Sequence, residues 1–260
     1  MYKAIDIQSQ TEIIILDPEW ADKIPQLRSL DHADILVCQG CRQPVRVRAG
    51  DQRRHHFAHK HLQGCSYGSE SPDLLAARAV LYDWLFKKHQ TDVTIEKQIS
   101  DANLPRPVDC WVEKQTSRPI AYWIIDTRLN RQARKTIRNV FSNIGARVVW
   151  VHLSKLLHID SVRKDCIHLS TSERMFLAES EYNRIYSDPR AAFDSLGMTI
   201  HYLDSDSLNL TTYRALCLAH PPNVYYGVQL TTPLSEVKVH PRTGEFVHPG
   251  EYERLKESKF

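Results

Sequence analysis

"SPDLLAARAVLYDWLFKKH", residues 71–89, reads as a helix from end to end. Ser71 can cap it, Pro72 suits its first turn, Asp73 complements the positive end, and Lys87, Lys88 and His89 suit the other end. Leu74, Leu81, Trp84 and Leu85 recur on one face, which is predicted to be buried. Downstream, "VTIEKQI" (93–99), "PVDCWVE" (107–113) and "IAYWIID" (120–126) are short β-rich runs separated by "SDANLPR" and "KQTSR", so three successive strands are expected. Residues 128–144 predict a second helix. Ala133, Ile137, Val140, Phe141 and Ile144 share its apolar face, and Arg128, Arg131, Lys135 and Arg138 share another. Gly145 ends that helix, and "ARVVWVHL" (146–153) is a strongly apolar strand. Helix, three strands, helix, strand defines a mixed α+β domain.

Outward from this core, "AIDI" (4–7) and "TEIIILD" (11–17) predict an opening hairpin. Near the other end, "SERMFLAESEYNRIY" reads as helix, and "VYYGVQL" and "LSEVKVHPRTGEFVHP" as strands around a Thr-Gly turn. His240 and His248 flank that turn and each precedes a proline, which places them in loops rather than among ligands. Three segments are expected: a hairpin and Cys/His module at 1–68, an α/β domain at 69–155, and an α+β extension at 156–260.

The chain has 260 residues, ordinary globular composition and a formal net charge of +3, too small to identify a nucleic-acid binder by itself. No stretch approaches the roughly 18 apolar residues of a membrane span. The N-terminus lacks the apolar run of a signal peptide, so a cytoplasmic, reducing setting without membrane contact is expected. There, clustered cysteines are metal ligands or buried thiols rather than disulfides. Cys110, Cys166 and Cys217 stand alone among apolar neighbours and read as small core residues.

The other three cysteines lie in "VCQGCRQPVRVRAGDQRRHHFAHKHLQGC" (37–65), with four histidines and six Arg/Lys against one Asp. Cys38 and Cys41 have the C-x2-C spacing that offers two thiolates from one tight turn, as structural zinc requires. Gly40 gives that knuckle backbone freedom, and "PVRVR" alternates like a strand leading away. His56 and His59 flank "HFAH" and Cys65 follows, so five candidates compete for four positions. Cys38, Cys41, His59 and Cys65 are the expected ligands, with His56 in reserve.

The ordered pattern "CQGC…RRHHFAHKHLQGC…ESPDLLAARAVLYDWL…VTIEKQI…RPVDCWVE…IAYWIIDTRLN…FSNIGARVVWVHL" resembles the CoiA-like competence protein family over about residues 1–155. The resemblance implies an N-terminal Cys/His zinc module joined to a restriction-endonuclease-like domain of the PD-(D/E)xK type, in which a mixed sheet is flanked by helices. It also implies a role in processing incoming DNA. In that family an Asp on one strand and a Glu on the next hold Mg²⁺ or Mn²⁺, and a Lys or Gln two residues after the Glu positions water. Asp109 falls on the family's Asp, but Trp123 and Ile125 stand where the family has Glu-x-Gln. On the preceding helix Glu70 remains, while Leu74 and Arg78 replace the family's His and Lys. Asp126 points to the face opposite 123 and 125. Asp109 with Glu70 or Glu96 could form at most a weak metal site, so a degenerate nuclease centre is expected.

From 127 to 159 there are seven Arg/Lys and no Asp or Glu. A single-sign helix face suits a phosphate backbone, and Arg42, Arg46, Arg48, Arg53, Arg54 and Lys60 supply a second basic surface beside the zinc module. Three functions stay open. One is a DNA-binding protein, DNA being favoured over RNA, that keeps a nuclease fold without its centre. The second is a working Mg²⁺-dependent nuclease with a relocated acid, Asp126 or Glu113. The third is an interaction subunit for a recombinase or nuclease. DNA recombination, uptake, mobile-element biology and defence are the candidate settings.

Overall fold

At the start of the chain the alternating pattern forms the expected hairpin: β1 (Lys3–Asp6) pairs antiparallel with β2 (Thr11–Ile14). A helix not read from the sequence, α1 (Ile24–His32), follows, and then β3 (Leu36–Val37), which pairs with β1 from its other side. β4 (Val45–Arg48) and β5 (His56–His59) form a separate two-stranded ribbon. The structure is a computed structural model that describes the chain apart from residues 52, 62–63, 66, 68–69, 90–91, 101–103, 114–117, 128, 164, 179–197, 221–222 and 258–260. It divides into two compact units, Met1–Gln115 and Thr116–Phe260.

The first unit is completed by α2 (Pro72–His89) and the antiparallel pair β6 (Val93–Lys97) and β7 (Val108–Val112). Ser71 caps α2 as expected: its Oγ accepts from Leu74 N at 3.1 Å. Leu74, Leu81, Trp84 and Leu85 are all buried, and so is Arg78, one turn beyond Leu74 on the same stripe.

In the second unit β8 (Ile120–Ile125) and β9 (Arg147–Leu153) run parallel, with α3 (Arg131–Asn143) between them in sequence. Asn130 rather than residue 128 opens α3, accepting from Ala133 N at 2.8 Å. Ile137 and Phe141 are buried on α3 as expected, whereas Ile144 is exposed and Arg134 takes a buried place. After β10 (Cys166–His168) and α4 (Thr171–Ala178), β11 (Ile200–Asp204) adds parallel to β9. β12 (Asn209–His220) and β13 (Val224–Pro233) continue as an antiparallel hairpin, and β10 closes the edge. The order β10-β13-β12-β11-β9-β8 makes this a mixed sheet, and the fold mixed α+β.

The strands expected in the final segment appear as β13, β14 (Lys238–Val239) and β15 (Phe246–Val247), followed by α5 (Glu251–Glu257). Gly244, at φ +77, makes the expected turn, and a Cβ there would come within 2.6 Å of Ile120. The expected helix at 172–186 is present as far as Ala178, and its continuation lies outside the described residues. No helix among the described residues is long and apolar enough to cross a membrane.

Candidate metal centre and carboxylate cage

The ligand atoms of Cys38, Cys41, His59 and Cys65 lie within 4.8 Å of one another. Cys38 Sγ and Cys65 Sγ are 3.8 Å apart, and Cys41 Sγ is 3.3 Å from His59 Nε2. With Zn–S near 2.3 Å and Zn–N near 2.05 Å, the edges of a tetrahedron are about 3.8 Å for S–S and about 3.6 Å for S–N. The four residues therefore form a group that could hold one metal ion.

The knuckle turns after β3. Cys38 N donates to Gln43 O at 2.9 Å, Arg42 N donates to Cys38 O at 3.0 Å, and Gly40 N points at Cys38 Sγ at 3.4 Å. The left-handed residue is Arg42, at φ 60, not Gly40. Gly40 is needed for room, because a Cβ would lie 3.1 Å from the Tyr67 ring and 3.3 Å from Gln98 Nε2. Burial pushes the Cys38 thiol up to about 12, so a metal must displace a firmly held proton.

The competition between His56 and His59 is settled by strand periodicity. Three residues apart, they project to opposite faces of β5. Val45 pairs with His59 and Val47 with Phe57, which puts His59 on the ribbon's apolar side. His56 falls with Arg46 and Arg48, and its Nδ1 bonds to Arg54 O at 2.9 Å. The reserve ligand is thus directed away from the cluster.

Within the same unit, Glu70, Glu96 and Asp109 do come together, around Arg78. Arg78 Nη2 donates to Glu70 Oε1 at 2.5 Å, Nη1 to Glu96 Oε1 at 2.6 Å, and Nε to Asp109 Oδ1 at 2.8 Å. Arg106 Nη1 adds a 2.5 Å contact to Asp109 Oδ1. Tyr2 N and Lys3 N donate to the two oxygens of Glu96 at 2.8 and 3.0 Å. Arg78, Glu96 and Asp109 are fully buried. Burial alone would lower the Arg78 pKa, but Glu70, Asp109 and Glu96 together hold it well above the usual range. Glu96 is also strained, with φ 49 in the left-handed region, a conformation that persists when surrounding bonds over-determine it.

This cage changes the reading of the three acids. A divalent ion needs open carboxylate oxygens at about 2.1 Å for Mg²⁺. Here N–H donors, with a rigid guanidinium at the centre, occupy both oxygens of Glu96 and one oxygen each of Glu70 and Asp109. The expected weak metal site is therefore an arginine-filled cage. The residues at the other family positions lie in the second unit: Trp123 and Ile125 are buried on β8, with Trp123 packed edge-on to Phe141. Asp126 follows directly at the end of β8, half-buried. Glu113 is exposed and accepts from Trp111 Nε1 at 2.8 Å.

The basic residues separate into groups. Arg54 is paired with Asp83, and Lys60 with Asp31 and Asp34 at 2.8 and 2.6 Å. Arg42, Arg48 and Arg53 are exposed and Arg46 is half-buried, with no ion pair to any of them among the described residues. On α3, Arg131, Lys135 and Arg138 are exposed on one face, and Arg128 lies outside the described residues. Sequence reasoning missed the buried network in the second unit that holds His248. Thr212 Oγ1 bridges His201 Nδ1 at 2.9 Å and His248 Nε2 at 2.7 Å, while His201 Nε2 meets Glu245 at 2.5 Å. His248 lies in the loop after β15, as expected, but it is buried.

The fold is mixed α+β, with a β-ribbon module near the N-terminus whose Cys/His group could hold a metal ion. The family model described as the N-terminal domain of competence protein CoiA matches residues 21–68, a segment that carries all four candidate ligands. Over that segment the chain is CoiA-like. No curated protein and no solved structure matches the chain.

Proposed function

We propose that this protein binds DNA in a CoiA-type DNA-processing role, carries one structural zinc ion, and does not itself cut DNA. The carrying observation is the Arg78 guanidinium at the centre of Glu70, Glu96 and Asp109. The guanidinium occupies the space between these three acids, which supports the reading that they do not hold a hydrolytic metal. Three thiolates and an imidazole are the donor set that favours zinc over harder ions, and the match to the CoiA N-terminal domain supports a part in DNA handling. Arginines near the metal module that have no ion pair among the described residues, and the basic face of α3, supply phosphate-binding charge. A recombinase or nuclease subunit would then perform any cleavage.

The test is binding of a labelled DNA by fluorescence anisotropy at graded salt. The reading expects affinity that falls steeply with salt and varies little with sequence. An absence of binding at low salt would remove it.

A further inference from the structure

We infer that the outward face of the β4–β5 ribbon is the principal phosphate-contacting surface, and that the metal centre serves to fix that face. The inference rests on the DNA-binding reading above.

Strand alternation divides the ribbon's side chains into two sets. Val45, Val47, Phe57 and His59 share one face, and Arg46, Arg48, His56 and Ala58 share the other. Val45 and Phe57 are fully buried, and Phe57 N donates to Met1 O at 2.9 Å, so the apolar face is turned into the unit. The arginine face is therefore outward, with Arg48 exposed and Arg46 half-buried, its Nε shielded from solvent. Arg46 and Arg48 are two residues apart on one strand, roughly 7 Å along it, a spacing suited to successive phosphates.

Ion pairing sharpens this assignment. Arg54 and Lys60, which flank β5, are neutralised by Asp83, Asp31 and Asp34. Arg42, Arg46, Arg48 and Arg53 are left without such partners among the described residues, and Asp51 is the sole carboxylate in residues 42–60. Among the described residues, His56 is the one ring on this face, and the arginines outnumber it, so most of the contacts go to phosphates rather than bases.

The metal centre sits at one end of this ribbon. His59 pairs with Val45 at the terminal register position, and Cys41 precedes β4 by four residues. One alternation thus sends His59 inward to the metal and Arg46 and Arg48 outward. An ion held by His59 and the knuckle fixes both strands in register, and with them the arginine face.

The experiment compares the full chain with three variants for binding to a labelled duplex and to a single strand of equal length, between about 50 and 200 mM salt. Arg46→Gln/Arg48→Gln removes the strand pair. Arg48→Glu/Arg53→Glu changes exposed positions only, so folding is preserved. Arg131→Glu/Lys135→Glu alters α3. Metal content is measured for each. Both ribbon variants are expected to keep their metal, to lose roughly tenfold or more in affinity, and to lower the salt slope by about 2, one per phosphate contact removed. The α3 variant is expected to lose less, and metal-stripped wild type to match the ribbon variants. If the α3 variant alone weakens binding, the inference falls while the DNA-binding reading stands. Full binding by metal-stripped protein overturns the metal's role. If the wild type binds neither DNA, as when this face docks an acidic protein instead, both fall.

Discussion

Gln39 Nε2 donates to the main-chain carbonyl of Glu96 at 2.9 Å, joining the turn between Cys38 and Cys41 to the residue that also binds Arg78. The metal module and the carboxylate cage are therefore one hydrogen-bonded structure. Loss of metal should be felt beyond the ribbon, because the knuckle that orients Gln39 is held by only a few main-chain bonds.

The purified protein is expected to contain one zinc per chain, since four ligands complete one tetrahedron. Cys38→Ser and His59→Ala should lose the metal and lower thermal stability, whereas His56→Ala should retain both. Burial holds the Cys38 proton up to about 12, so apparent metal affinity should fall as pH falls. Metal analysis and thermal unfolding of the three variants check this. Retention of zinc by His59→Ala together with its loss from His56→Ala would reverse the ligand assignment.

Arg78→Ala should be among the most destabilising single substitutions in the first unit. It leaves Glu70, Glu96 and Asp109 close together and buried without their shared guanidinium, a loss of about 3–5 kcal/mol. Denaturant unfolding at pH 7 measures this. A deficit under about 1 kcal/mol at pH 7 would mean that the cage does not hold the unit together.

The Arg78 arrangement was partly legible in the sequence. Leu74, Arg78, Leu81 and Leu85 fall on one helical stripe, and a charge on a buried stripe requires partners. The sequence could not show that those partners would be the three candidate catalytic acids. Local signals also sufficed for the opening hairpin, α2, β6 to β9 and the choice of His59, because capping and periodicity reside within each segment. β11 and β12 were not legible, since Thr212 and Arg214 are buried where a strand pattern would show apolar residues. Their satisfaction is long-range: Arg214 Nε donates to Glu251 at 2.7 Å, and Thr212 meets His201 and His248. α1 was missed because Leu27 is its single buried residue.

Burial lowers His152 and His248 to about 3 in the folded chain. Between about pH 6.5 and 3 the unfolded chain binds these protons and the folded chain does not. Stability contributed by the neutral rings is therefore present above pH 6.5 and lost as pH falls below it. The slope should approach about 2.7 kcal/mol per pH unit between pH 6 and 4, for two protons at about 1.36 kcal/mol each. Denaturant unfolding from pH 7 to 4 checks this, and His248→Gln should reduce the slope by about half. A flat profile over that interval would contradict the buried-neutral assignment.

The central claim, that the acids of a nuclease-like arrangement are occupied by Arg78 and leave a DNA binder without cleavage, is tested most directly by one assay. Wild type, Asp109→Ala and Asp126→Ala are incubated with single- and double-stranded DNA in Mn²⁺, the more permissive ion. No cleavage above a blank is expected for any of the three, under conditions where wild type binds the DNA. Wild-type cleavage abolished by either substitution would contradict it and make this chain a working nuclease.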